Sequence, residues 1–202
     1  MKRITVKDFY YGEKLFAKKS FNFEANKLNI LVGPNGTGKT TLLRELAEKF
    51  KDNSATWFIA DDAGHKAKNK AMGRGEIQFV ADLMSASEGE GIVTTLGTLI
   101  DRIKKFKSST DKNKKKDLWI LIDGIDSGLD MSNISEFKSL MARIIFSMNK
   151  LGHTVYPIIS ANNYEMISNE GCVYVKNNTR ITFKDYEEYR TFIINESAGR
   201  AE

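Results

Sequence analysis

The run Gly33-Pro34-Asn35-Gly36-Thr37-Gly38-Lys39-Thr40 constrains this chain more than any other stretch. It has the form Gly-x-x-x-x-Gly-Lys-Thr. The short apolar run Leu28-Asn29-Ile30-Leu31-Val32 precedes it, and Leu42, Leu43, Leu46 and Phe50 follow at helical spacing. Strand, glycine loop, helix is the order that a phosphate-binding loop requires, whereas a plain glycine-rich turn is the competing explanation. Glycines at 33, 36 and 38 let the main chain curl until several amides converge on one anion. The helix that follows points its positive end at the same place. On this reading Asn35, Gly36, Thr37, Gly38, Lys39, Thr40 and Thr41 surround the phosphates of a nucleoside triphosphate. Lys39 reaches the β- and γ-phosphates, and the Thr40 hydroxyl ligates Mg²⁺.

With 202 residues, 41% hydrophobic and 28% charged, the chain fits one globular domain with a sizeable core. Its single cysteine, Cys172, excludes a disulfide framework and points to a reducing cytosol. Two histidines, His65 and His153, are too few to suggest a zinc site. No apolar run approaches the ~20 residues needed to cross a bilayer. The basic start Met1-Lys2-Arg3 runs into strand pattern, not into the apolar core of a leader peptide.

Strands are expected over 3–9, 19–23 and 28–32, with a turn at Ala25-Asn26, and again over 55–60, 118–123 and 155–160. Between them, amphipathic helices follow the glycine loop, run from Ile77 to Met84 and from Ile92 to Ile103, and span 134–148 up to a stop at Gly152. A polar loop is expected over 61–75 and a lysine-rich one over 106–116. Cys172–Val175, Asn177-Asn178 and Arg180–Phe183 predict a hairpin, and a last helix covers 185–195. Strands alternating with helices indicate an α/β fold with a mostly parallel sheet. Phe9, Tyr10 and Tyr11 each offer a flat apolar partner for an adenine ring, Tyr11 being carried forward, although an aromatic packing on the sheet edge explains them equally well.

The apolar strand Leu118-Trp119-Ile120-Leu121-Ile122 ends in Asp123, a carboxylate suited to holding Mg²⁺ opposite Thr40. Beyond it stands Ser127-Gly128-Leu129-Asp130, and earlier comes Ser87-x-Gly89-Glu90 at the start of a helix, where capping alone is the bland explanation. Together these stretches resemble the ATP-binding cassette superfamily, in particular its compact SMC/RecF-like heads. Gly33–Thr40 is similar to the family's Walker A loop, 118–123 to its Walker B strand, Ser127–Asp130 to its D-loop and Ser87–Glu90 to its signature motif.

The resemblance implies a phosphate-loop fold of cassette type over 1–202, with an antiparallel N-terminal β subdomain and a short helical lobe near 61–107. It also implies ATP as substrate, Mg²⁺ as cofactor and an ATP-dependent homodimer. In that dimer Ser87, Gly89 and Glu90 of one copy reach the nucleotide of the other, with Ser127 and Asp130 nearby. Three positions depart from the family pattern. Gly124 stands where a glutamate usually orients the attacking water, which makes Asp126 the first substitute and Glu90 the second. Ala161-Asn162-Asn163 stands where a switch histidine is expected, leaving Asn162 to hydrogen-bond a γ-phosphate. Gln78, the one glutamine, is a candidate Mg²⁺ or water contact although it falls on helical pattern.

The missing membrane-gripping lobe and the lysines at 104, 105, 107, 112, 114, 115 and 116 point to an ATP-driven switch in DNA maintenance or phage biology, with slow hydrolysis and no membrane partner. The lysines are candidates to neutralise DNA phosphates, but a solvated loop accounts for them too. A nucleotide-gated binding protein with little turnover and the ATPase subunit of a transporter are the alternatives.

Overall fold

The computed structural model describes residues 1–7, 9–10, 13–58, 97–109, 116–124 and 131–198. Five strands come first: β1 (Lys2–Thr5), β2 (Phe9–Tyr10), β3 (Glu13–Lys14), β4 (Ser20–Phe23) and β5 (Asn29–Val32). Helix α1 (Lys39–Lys49) and strand β6 (Ser54–Phe58) follow, then α2 (Gly97–Ser109), β7 (Asp117–Asp123), α3 (Met131–Lys150) and β8 (Thr154–Ser160). The chain closes with α4 (Tyr164–Ile167), β9 (Cys172–Tyr174), β10 (Thr179–Ile181) and α5 (Tyr186–Ala198).

Six strands form the main sheet in the order β10-β9-β5-β8-β7-β6, parallel except for the β9–β10 hairpin. A parallel sheet is covered on both faces, so its strands read as unbroken apolar runs that split by alternation. Ile30, Val32, Leu118, Ile120, Ile122, Val155 and Ile159 bury into one core with α2 and α3. Leu31, Trp119, Leu121, Tyr156, Ile158 and Val173 bury into the other, against Leu42, Leu43 and Leu46 of α1 and Phe21 and Phe23 of β4. The expected α/β architecture is present, and the antiparallel N-terminal pair is β1 with β4, registered from Lys2↔Phe23 to Thr5↔Ser20.

Two expectations need correction. The first strand ends at Thr5, and Phe9-Tyr10 pairs instead with Glu13-Lys14 as a separate two-residue hairpin. Residues 106–109 of the expected lysine-rich loop are helical instead, because Phe106 continues the buried stripe of Leu99, Ile100 and Ile103 and keeps α2 helical to Ser109, while 110–115 lie outside the described residues. These four side chains belong to the main core, so the last turns of the stretch assigned to a helical lobe pack on the sheet; the rest of that stretch lies outside the described residues.

Helix ends follow local chemistry. At the end of α3, Gly152 adopts φ 82°, and the His153 amide donates to the Met148 carbonyl at 3.0 Å. Helix α5 starts where Asp185 Oδ1 accepts the Glu188 amide at 2.9 Å.

Candidate nucleotide site

All parallel strands of an open α/β sheet point their carboxyl ends to one edge, where ligands bind. Here β5 delivers Gly33 at that edge, and the chain turns through Gly38 (φ 91°) into α1. A side chain at Gly38 is disfavoured by this φ, and its Cβ would press on the side chains of Leu15, at 2.7 Å from Cδ2, and Phe16, at 2.8 Å from Cε1. The loop is held by Thr37, whose hydroxyl and amide donate to the Pro34 carbonyl at 2.8 and 3.2 Å. Lys39 is buried to 8% exposure, with its ammonium donating to the Gly33 and Pro34 carbonyls. A buried ammonium held by two main-chain carbonyls places a positive charge inside this loop. Asn35, Gly36 and Thr40 stand exposed at its rim, and Thr41 lies half-buried one residue further along α1.

Asp123 ends β7 beside that loop at 7% exposure. Its Oδ2 accepts from the Thr40 hydroxyl at 2.8 Å, and its Oδ1 accepts from Ser160 at the end of β8. The Ser160 hydroxyl in turn accepts the Gly124 amide at 2.9 Å. Thr40 and Asp123 present hard oxygen donors at the mouth of the loop, a donor set that fits Mg²⁺. Gly124 holds φ 70°, the left-handed region that favours glycine.

Ser160 is the residue that sequence reasoning missed. The signal was strand order: Ile122 pairs with Ile159, so the next residues, Asp123 and Ser160, end adjacent strands together.

Asn162 is exposed on the loop after β8, and its carbonyl accepts the Tyr189 hydroxyl of α5 at 2.7 Å. Asn163 caps α4, its Oδ1 accepting the Glu165 amide at 2.9 Å. This loop and the start of the phosphate loop line one cleft of 1190 Å³, Asn35 and Asn162 among its lining residues. Tyr11, Gln78, Ser87, Gly89, Glu90, Asp126, Ser127 and Asp130 lie outside the described residues. Of the cluster thought to meet DNA, Lys112, Lys114 and Lys115 lie outside as well, while Lys104 pairs with Asp101 at 3.2 Å. Away from the site, burial pushes the Cys172 thiol up to about 12, with the Glu170 carboxylate adding to it.

A glycine loop closing on a buried lysine, beside a threonine and a strand-end aspartate, defines a phosphate-loop nucleotide-binding domain. Residues 16–147 match the family model described as ABC transporter, so the chain belongs to that family of ATP-binding domains, which are generally ATP hydrolases. It is similar to the phosphonates import ATP-binding protein PhnC of Lactiplantibacillus plantarum, 33% identical over 35% of this chain and 28% of that protein. It is also similar to the uncharacterized ABC transporter ATP-binding protein MJ1023 of Methanocaldococcus jannaschii, 25% identical over 78% of this chain and 66% of that one. Both relatives thus extend well beyond the stretch they share with it. The fold matches the ADP conformation of MJ1267, an ATP-binding cassette of an ABC transporter, with TM-score 0.57 and 13% identity over 98% of this chain and 96% of that one.

Proposed function

We propose that this chain, as one domain over 1–202, is the Mg²⁺-dependent ATPase component of a transporter, working as an ATP-dependent homodimer on a membrane partner. The observation that carries the nucleotide part is the Thr40–Asp123 contact at 2.8 Å beside the buried Lys39. Lys39 and the loop amides bind the β- and γ-phosphates, and Thr40 and Asp123 hold the metal. Bound there, Mg²⁺ neutralises charge on the phosphate oxygens. Asn35 and Asn162, which line one cleft, contact the terminal phosphate. In the dimer Ser87, Gly89 and Glu90 of the second copy complete the site, with Ser127 and Asp130 alongside. Tyr11 stacks on adenine, Gln78 serves the metal or its water, and Asp126 stands in for the carboxylate that Gly124 lacks.

The relatives favour transport over DNA maintenance or phage biology: one is named a phosphonates import ATP-binding protein and the other an ABC transporter ATP-binding protein. Among the described residues no helix is long and apolar enough to cross a membrane. Phosphate release by wild type against Lys39→Ala tests the ATPase. The substitution is expected to cost about 10²–10³ in rate, as removal of one transition-state donor does. Wild-type release no faster than the variant's sinks the enzyme reading. Co-purification from membranes with an integral protein tests the transporter assignment, and recovery of the chain from the soluble fraction alone removes it.

One observation favours a second reading. Gly124 supplies no side chain to polarise water and its φ of 70° suits glycine, as a nucleotide-gated binding protein with little turnover would require. Tight MgATP binding with background phosphate release would select it.

A further inference from the structure

We infer that Ser160 is a positioning residue for the metal carboxylate: it fixes the rotation of Asp123 and ties the Gly124 peptide to it. The inference rests on the reading of Thr40 and Asp123 as the magnesium pair. A serine hydroxyl has one hydrogen to give and two lone pairs to receive with. At 3% exposure, Ser160 gives its hydrogen to Asp123 Oδ1 and receives the Gly124 amide at 2.9 Å. The carboxylate's other oxygen receives from Thr40 at 2.8 Å. Two donors therefore converge on the carboxylate, the Ser160 hydroxyl from β8 and the Thr40 hydroxyl from α1, and the Gly124 amide fixes which way the Ser160 hydroxyl gives its hydrogen.

The rotation of an aspartate carboxylate about its last torsion is soft and roughly two-fold, so burial alone does not hold it. Ser160 occupies Oδ1 and leaves Oδ2 turned towards α1 and the phosphate loop, where a metal would be met. Removing the hydroxyl frees the carboxylate to turn and strips the Gly124 amide of its partner. The neighbouring strand supplies this control because Asp123 and Ser160 directly follow the paired Ile122 and Ile159. Ser160 also sits two residues before Asn162, on the loop that lines one cleft with Gly33, Pro34 and Asn35.

Mn²⁺ binding in the presence of ATP, followed by electron paramagnetic resonance, tests this on the whole chain, together with calorimetry of ATP in EDTA. Ser160→Ala is expected to weaken Mn²⁺ by roughly 10–100-fold, as loss of an outer-shell partner does. Affinity for metal-free ATP should stay within about twofold, and Ser160→Thr, which keeps the hydroxyl, should regain most of the metal affinity. If Ser160→Ala does not fold, Ser160→Cys, similar in volume but a weak donor, is read in its place. Unchanged Mn²⁺ affinity in the alanine or cysteine variant overturns the proposal while leaving the magnesium pair intact, provided Asp123→Asn abolishes binding. Equal loss of metal-bound and metal-free nucleotide also overturns it, since that is the mark of general structural damage. Wild type that takes up no Mn²⁺ with ATP defeats the magnesium reading itself, and Ser160 with it.

Discussion

Strand β7 is built differently at its two ends. Near the amino end, Trp119 stacks on Phe50 at 4.0 Å and on Tyr156 at 4.4 Å, with Phe23 edge-on at 6.4 Å. Four residues later Asp123 is buried among hydroxyls and a main-chain amide. The first end is satisfied by packing, which is non-directional and tolerant of small shifts. The second holds a buried carboxylate that is tolerable only if each partner is placed correctly. Stability is therefore concentrated at one end of the strand and chemistry at the other, and substitutions should separate the two.

The strongest test is Trp119→Ala. Removing a fully buried aromatic is expected to cost about 3–5 kcal/mol of unfolding free energy, read as a lower urea midpoint. MgATP affinity measured well below that midpoint should stay within about twofold, because Trp119 stands four residues before Asp123, near the other end of β7. A variant that loses nucleotide in proportion to stability would show that the two ends are one cooperative device, and the comparison would break.

Gly124→Glu probes the other end and is smaller in stability. The left-handed φ of 70° makes a side chain there cost about 1–2 kcal/mol. If the missing carboxylate limits turnover, phosphate release should rise despite that cost. Release that falls or stays level would show that another group already orients the water, or that the domain is built to hold nucleotide. A Gly124→Ala control, strained but without a carboxylate, separates backbone cost from chemistry.

What the sequence made legible follows the same division. The phosphate loop, its strand and its helix were readable because glycine spacing and apolar period are local signals. Asp123 was readable because a strand-end carboxylate is expected once such a loop is present. Ser160 was not, since its role depends on β8 lying beside β7, and strand order is a non-local fact. The extent of α2 was misjudged for a related reason. The lysines after Phe106 suggested a loop, but a single buried ring kept the turn helical. Asn163 was read only as a neighbour of Asn162; its capping of α4 required knowing that a helix starts at Tyr164.

The smallest predicted effect sharpens the aromatic end. Lys2 pairs with Asp117, and its ammonium lies 5.6 Å from the ring centres of both Trp119 and Tyr156. Both partners of the ion pair are about a third exposed, so Lys2→Ala should cost only about 0.5–1 kcal/mol. Two sources of that loss can be told apart by salt. A charge contribution shrinks at 1 M NaCl, where the screening length is about 3 Å, whereas packing of the lysine stem over the rings persists. The Tyr156 hydroxyl supplies an independent reading. Burial raises its pKa, Asp117 raises it further and Lys2 opposes both, so the variant should ionise at still higher pH in an alkaline titration. If the loss persists in salt while the Tyr156 titration moves up, Lys2 acts on stability through its stem and on the phenol through its charge. A stability loss that vanishes in salt would instead make the amino end of β7 partly electrostatic, and the contrast with Asp123 one of degree.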